Sequence, residues 1–284
     1  MKLNRIVSLF SLLIIGLSAF AQYEDQRIVS SYYEFEEGST ELLYGDNVVF
    51  RSGPSSSSKA IDTLEIATEI KIIQKSDEKA KMNGLEWNWY KVKIGRKTGY
   101  ILGGLIALDH IRRDDVLFLV TMAGINRNSD DYEYVDYKVR TRMIRADGEY
   151  YGHESDLNTN AFYIEASNNR GLDGVYNILC INLFAEACGV DGGKIYLFDS
   201  GERLIEALQL VSVSDAGAFW YTEEVIFPDD EHGWDGIVRY EREQGEYLND
   251  ELYWTKATIH TLNLKWEGDH FTPNIKEFEF GEGE

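Results

Sequence analysis

Two cysteines, five histidines and three prolines are spread through 284 residues, and each scarcity excludes something. The histidines, His110, His153, His232, His260 and His270, are too scattered to suggest a metal or catalytic cluster. No G-x-S-x-G, no H-E-x-x-H and no phosphate-cradling P-loop occurs, which removes the familiar nucleophile, zinc and nucleotide signatures. Past the N-terminal segment no stretch approaches eighteen consecutive apolar residues, so no membrane insertion is expected there. No long Pro/Gly/Ser linker interrupts the chain, so its parts are expected to touch, and no fixed-period repeat argues for a propeller. Positive charge is also short: 28 Lys and Arg face 49 Asp and Glu, a net of −21. That balance argues against nucleic acid or anionic headgroups as the main partner and favours solubility, with cationic partners or divalent ions left open.

What is present begins with Met1-Lys2-Leu3-Asn4-Arg5, a short basic head. Ile6 to Leu17 is almost wholly apolar, and Ser18-Ala19-Phe20-Ala21 offers a small-x-small cleavage pattern before Gln22. Residues 1–21 therefore read as a secretory signal peptide, and the mature protein is expected to be periplasmic or secreted. Loss of Lys2 and Arg5 with the signal takes the net charge to −23. No cysteine lies at the cleavage point to take a lipid. An export compartment permits disulfides, so Cys180 and Cys188 could be bridged. On one continuous strand they would sit ~26 Å apart, far beyond the roughly 7 Å a disulfide spans. A bridge therefore needs the chain to fold back near Ala185-Glu186-Ala187, and two buried thiols are the alternative.

Residues 22–41 form an acidic, tyrosine-rich leader, either loose or a first strand pairing onto the neighbouring barrel. From Asn47 to Leu108 short strands and turns alternate. Ser52-Gly53-Pro54 followed by four serines is a turn-forming run. Glu69 to Ile73 is β-branched, and Ser76 to Asn83 reads as a solvated loop. Trp89-Tyr90-Lys91-Val92-Lys93-Ile94 alternates apolar with basic, Gly95-Arg96-Lys97 turns it, and Lys97-Thr98-Gly99-Tyr100-Ile101-Leu102 returns as the hairpin partner. The N-V-x-x-R-S-G-P opening, W-Y-K-V, and K-T-G-Y-I before G-G-L-I resemble the bacterial SH3-type (SH3b) domain, over residues 42–110. Two departures are an extra bulky residue before Arg51 and a long Asp77 to Asn88 connection. The resemblance implies a small barrel that binds cell-wall peptides or other extended peptides.

Arg112-Arg113-Asp114-Asp115 marks a charged boundary, and residues 111–284 read as a second region. Tyr132 to Arg145 alternates aromatic or aliphatic with charged residues. Val175 to Phe184 is apolar at most positions, like a central strand. Phe219–Phe227, Gly236–Tyr240 and Leu252–Trp266 bring the expected strands to about nine, with Glu202 to Gln209 either helix or strand. The fold class expected is all-β: an N-terminal SH3-like barrel followed by a larger antiparallel sandwich or barrel.

Arg51, Trp87, Trp89, Tyr90 and Tyr100, with Lys93, Arg96 and Lys97 nearby, are the candidate groove residues, because rings stack on extended ligands and cations meet carboxylates. Trp87, in a polar connection, is the expected exposed contact, whereas Trp89 and Tyr100 suit a barrel core. Asp229, Asp230 and Asp235, in a dense acidic run, are weak calcium candidates without the EF-hand ligand order, and a solvated hairpin tip is the plainer reading. No other cofactor is indicated. The expected function is non-catalytic: a cell-envelope binding or scaffold protein whose partner is peptide, peptidoglycan or another envelope protein. The alternative is a cell-wall hydrolase targeted by the SH3b module, for which Cys180, in an apolar strand, is a poor nucleophile.

Overall fold

A computed structural model describes residues 26–129, 132–184, 189, 191–215, 218–249 and 254–278. The signal-peptide reading and Cys188 lie outside them. The strands in chain order open with β1 (Val29–Ser30), β2 (Thr40–Leu42), β3 (Val48–Arg51), β4 (Ala60–Leu64), β5 (Glu69–Met82), β6 (Leu85–Ile94) and β7 (Lys97–Leu102). They continue with β8 (Asp109–Arg113), β9 (Val116–Ser129), β10 (Tyr132–Ile144), β11 (Tyr150–Leu157), β12 (Ala161–Ser167) and β13 (Ile178–Leu183). The last are β14 (Gly192–Asp199), β15 (Leu204–Asp215), β16 (Phe219–Ile226), β17 (Val238–Asn249), β18 (Trp254–Trp266) and β19 (Phe271–Thr272). The all-β expectation holds, and the Glu202–Gln209 stretch resolves into β15.

Three antiparallel sheets result. The N-terminal module is a six-stranded sheet in the order β2-β5-β6-β7-β3-β4, the middle layer is β11-β10-β9-β8, and the third is a nine-stranded sheet running β1-β12 through β19 in sequence. Period-two alternation distributes the core. In β9, Phe118, Val120 and Met122 face the cluster shared with Leu179, Ile181, Ile195 and Leu197 of the nine-stranded sheet. Leu117 and Leu119 face the module's Leu42, Tyr44 and Ile66. β9, at the heart of the middle sheet, is thus buried on both faces from Val116 to Ala123. β14 alternates likewise: Ile195 and Leu197 enter the shared core, while Tyr196 and Phe198 enter a second, aromatic core with Phe227, Tyr240 and Trp266.

One reading of the sequence is corrected: Ser76 to Asn83 is strand through Met82, and β5 and β6 form one long hairpin. The charged stretch at Asp114-Asp115 forms the turn between β8 and β9, with Asp114 at a φ of 50°.

The seam between module and sheets is tightly sewn. At the tip of the β5–β6 hairpin the Gly124 N–H donates to the Asn83 carbonyl at 2.8 Å. Gly84 adopts a φ of +77°, and a Cβ there would fall 1.7 Å from the Gly124 carbonyl oxygen, so the tip requires glycine for both reasons. Arg142 is stacked between Tyr44 and Tyr150, at 4.6 and 5.0 Å from their ring centres, and donates to the Tyr44 carbonyl at 2.6 Å.

The leader, far from loose, straps the layers together. β1 pairs with β12 of the nine-stranded sheet, and β2 pairs with β5 of the module. Between them Phe35, 4% exposed, meets the Tyr90 ring edge-on at 5.2 Å. Arg27 donates to Glu41 at 2.8 Å and to the Leu108 carbonyl at 3.2 Å, and Glu41 is 1% exposed. A carboxylate so far from water requires that partner.

Candidate functional site

The aromatic set read from the sequence is divided by a fault in the β5–β6 ladder. Lys75 opposes Tyr90 and Lys79 opposes Asn88, so β5 carries three residues where β6 carries Trp89 alone. Such a bulge twists the strand and reverses which face its side chains take. Trp87 and Trp89 are therefore buried on one side of the fault, and Tyr90 and Val92 on the other. Trp87 is 5% exposed and its indole N–H donates to the Met82 carbonyl at 3.3 Å, which corrects its reading as an exposed contact. Tyr90 is 2% exposed beneath the leader, its hydroxyl accepting from the Phe35 N–H at 3.4 Å. Three of the five groove candidates are core.

What remains open is the opposite face. There the register aligns Gln74 with Lys91, Lys91 with Tyr100, and Tyr100 with Arg51, one row across β5, β6, β7 and β3. Facing residues of an antiparallel pair lie on the same side, about 5 Å apart. Gln74 is exposed, and Lys91, Tyr100 and Arg51 are half-buried. Arg51 is steadied by donation to the Ser58 carbonyl at 2.9 Å. The row borders a concavity of about 210 Å³ lined also by Lys75, Ser76 and Asp77. One step outward, Lys71, Lys93 and Thr98 form a second, fully exposed row.

The motif glycine Gly99 explains how β3 reaches this face. A Cβ on it would lie 2.5 Å from the Arg51 carbonyl and 2.7 Å from the Phe50 ring, so the strands approach this closely only over glycine.

The electrostatics of the face run against those of the chain. Residues 46–107 hold ten Lys and Arg against seven Asp and Glu, whereas the whole chain carries −21. Lys75, Lys79 and Lys97 are matched by Glu34, Glu86 and Asp62. Among the described residues no carboxylate lies within ion-pair distance of Lys71, Lys91 or Lys93. Lys91 and Gln74 were not among the residues the sequence singled out; the apolar–basic alternation of Trp89–Ile94 carried that signal.

The other candidates lie apart. Arg170 binds both Asp229, at 2.8 Å, and Asp230, and Asp230 also accepts the Phe227 N–H at 2.7 Å. These two carboxylates are committed to holding a loop, and only Asp235 is exposed without such a partner. No group of three metal-ligating side chains occurs among the described residues. Cys180 is a free thiol in β13, pushed up to about 12 by burial, and its hydrogen-bond partner is Asn182 at 3.7 Å, not a histidine. A thiol so raised is a poor nucleophile. His153 instead pairs with Glu206 at 3.2 Å.

No helix among the described residues is long and apolar enough to cross a membrane. No curated protein and no solved structure matches the chain. Residues 46–107, which carry the Gln74–Lys91–Tyr100–Arg51 row, match the family model of the bacterial SH3 domain, and that module of the chain is a bacterial SH3 domain.

Proposed function

We propose that this chain is a non-catalytic docking protein of the cell envelope, exported by its N-terminal signal. Its SH3 domain holds an extended, carboxylate-bearing peptide of the kind found in peptidoglycan. The observation that carries the reading is the open row of uncompensated cations around Tyr100, on a net-positive module of an otherwise acidic protein. An extended peptide crossing the row would meet Lys91 and Arg51 with its carboxylates and Tyr100 with its apolar part, while Gln74 supplies a donor and an acceptor. The acidic remainder would repel a polyanion, so a short acidic peptide fits better than nucleic acid.

The test is co-sedimentation of the mature protein with purified sacculi, beside titration with soluble stem peptides. Binding is expected to weaken as salt rises and to fall about tenfold in Lys91→Glu, in line with loss of a charge-assisted contact. Sedimentation unaffected by Lys91→Glu would remove the reading.

A further inference from the structure

The nine-stranded sheet continues beyond its core. On the face that carries Tyr240, the register stacks four rows. Val225, Tyr240 and Leu262 form the first and belong to the aromatic core. Glu223, Arg242 and His260 form the second, Val213, Tyr221, Gln244 and Thr258 the third, and Asp215, Phe219, Glu246 and Lys256 the fourth. Rows on one face are about 7 Å apart. Two concavities, of about 500 and about 470 Å³, meet at Tyr221, and together they make one trough running outward along this face. Exposure rises along it: Tyr240 is 1% exposed and Phe219 is 41%.

The formal charges along the trough balance, with Asp215, Glu223 and Glu246 against Arg242, Lys256 and Lys276. Glu223 accepts from the hydroxyls of Tyr221 and Tyr240 at 2.6 and 2.7 Å and from the Val211 N–H at 2.9 Å. Arg242 hydrogen-bonds to Tyr221, and Glu246 stands opposite Lys256. What the outer rows offer a ligand is the ring faces of Phe219 and Tyr221, the amide of Gln244 and the hydroxyl of Thr258. A ring face suits the apolar C–H side of a pyranose, and amide and hydroxyl groups suit its hydroxyls. A strongly acidic chain that neutralises its own charges along one open trough favours an uncharged ligand there.

We propose that this trough is a second binding site and that it takes a neutral oligosaccharide chain lying along β16, β17 and β18. The site is independent of the SH3 domain and of its peptide. The test is calorimetric titration of the full mature chain with α- and β-linked oligosaccharides of glucose and of N-acetylglucosamine, and with an acidic peptide as the opposing arm. At least one oligosaccharide is expected to bind. Phe219→Ala and Gln244→Ala, both at exposed positions, are expected to weaken it about tenfold each, with the melting temperature unchanged. Lys91→Glu is expected to leave sugar affinity as it was, which separates failure here from failure of the SH3 reading. No sugar binding at millimolar concentration, sugar affinity unmoved by both trough variants, or the acidic peptide occupying the trough in place of sugar would each overturn the proposal.

Discussion

The SH3 domain and the nine-stranded sheet use one kind of surface, a row of side chains aligned across antiparallel strands, and end with opposite results. In the domain the β5–β6 bulge switches the buried face of the hairpin part-way along it, so most aromatic rings become core and a small cationic face is left. In the large sheet β17 and β18 run 12 and 13 residues, outlast the core beneath them, and leave aromatic and polar rows in the open. What a row becomes depends on where the core stops, more than on which residues compose it.

The comparison assumes one cooperative molecule with two faces, and Phe35 is the sharpest place to break it. Phe35→Ala removes a buried ring from the seam and is expected to cost about 3–4 kcal/mol, lowering Tm by about 10 °C in a single transition. A calorimetric trace splitting into two transitions would show instead that module and sheets fold separately. Arg27→Met strands Glu41. Loss of one partner of a buried pair typically costs 3–5 kcal/mol, but Arg27 keeps 30% of its side chain exposed, so about 2 kcal/mol is expected by urea titration.

Asp109 gives a smaller effect with a pH signature. Burial raises its carboxyl from 3.8 to about 6, against the His110 N–H and Arg27, which pull it down. The folded state thus holds this proton more tightly than the unfolded one. The stabilisation is complete below pH 4 and is lost as pH rises through about 6. A rise of that size would give up to about 3 kcal/mol, but Asp109 is only half-buried and water screens it, so Asp109→Asn should be more stable than the parent by about 1 kcal/mol at pH 8, with the gap closing towards pH 4. Taking the difference from the parent separates this from neighbouring His110, whose burial lowers its pKa and acts in the opposite sense. A gap that does not change with pH would refute the assignment. The smallest stability effect belongs to Lys91→Glu on the open face, within about 0.5 kcal/mol, although it should have the largest effect on peptide docking.

Much of the architecture was legible because it is local. Alternation and turn residues marked the strands, and K-T-G-Y carried the glycine that lets β3 approach β7. The inversion at Trp89 and Tyr90 was not legible, because it is imposed by extra residues on the partner strand. Nor was the use of Asp229 and Asp230, whose arginine lies about sixty residues earlier. The trough gathers residues from four strands spread between Val213 and Leu262, and no single stretch announces it.

The strap formed by residues 26–42 has a practical consequence for anyone cloning this protein. A fragment cut to the family-matched span of residues 46–107 would leave behind Phe35, the lid over Tyr90, and the β2 edge that completes the sheet. Such a fragment should come out of the cell sticky and ill-behaved, and a silent binding assay on it would say nothing about the intact protein. The unit to express begins upstream of Arg27 and carries the sheets along with it.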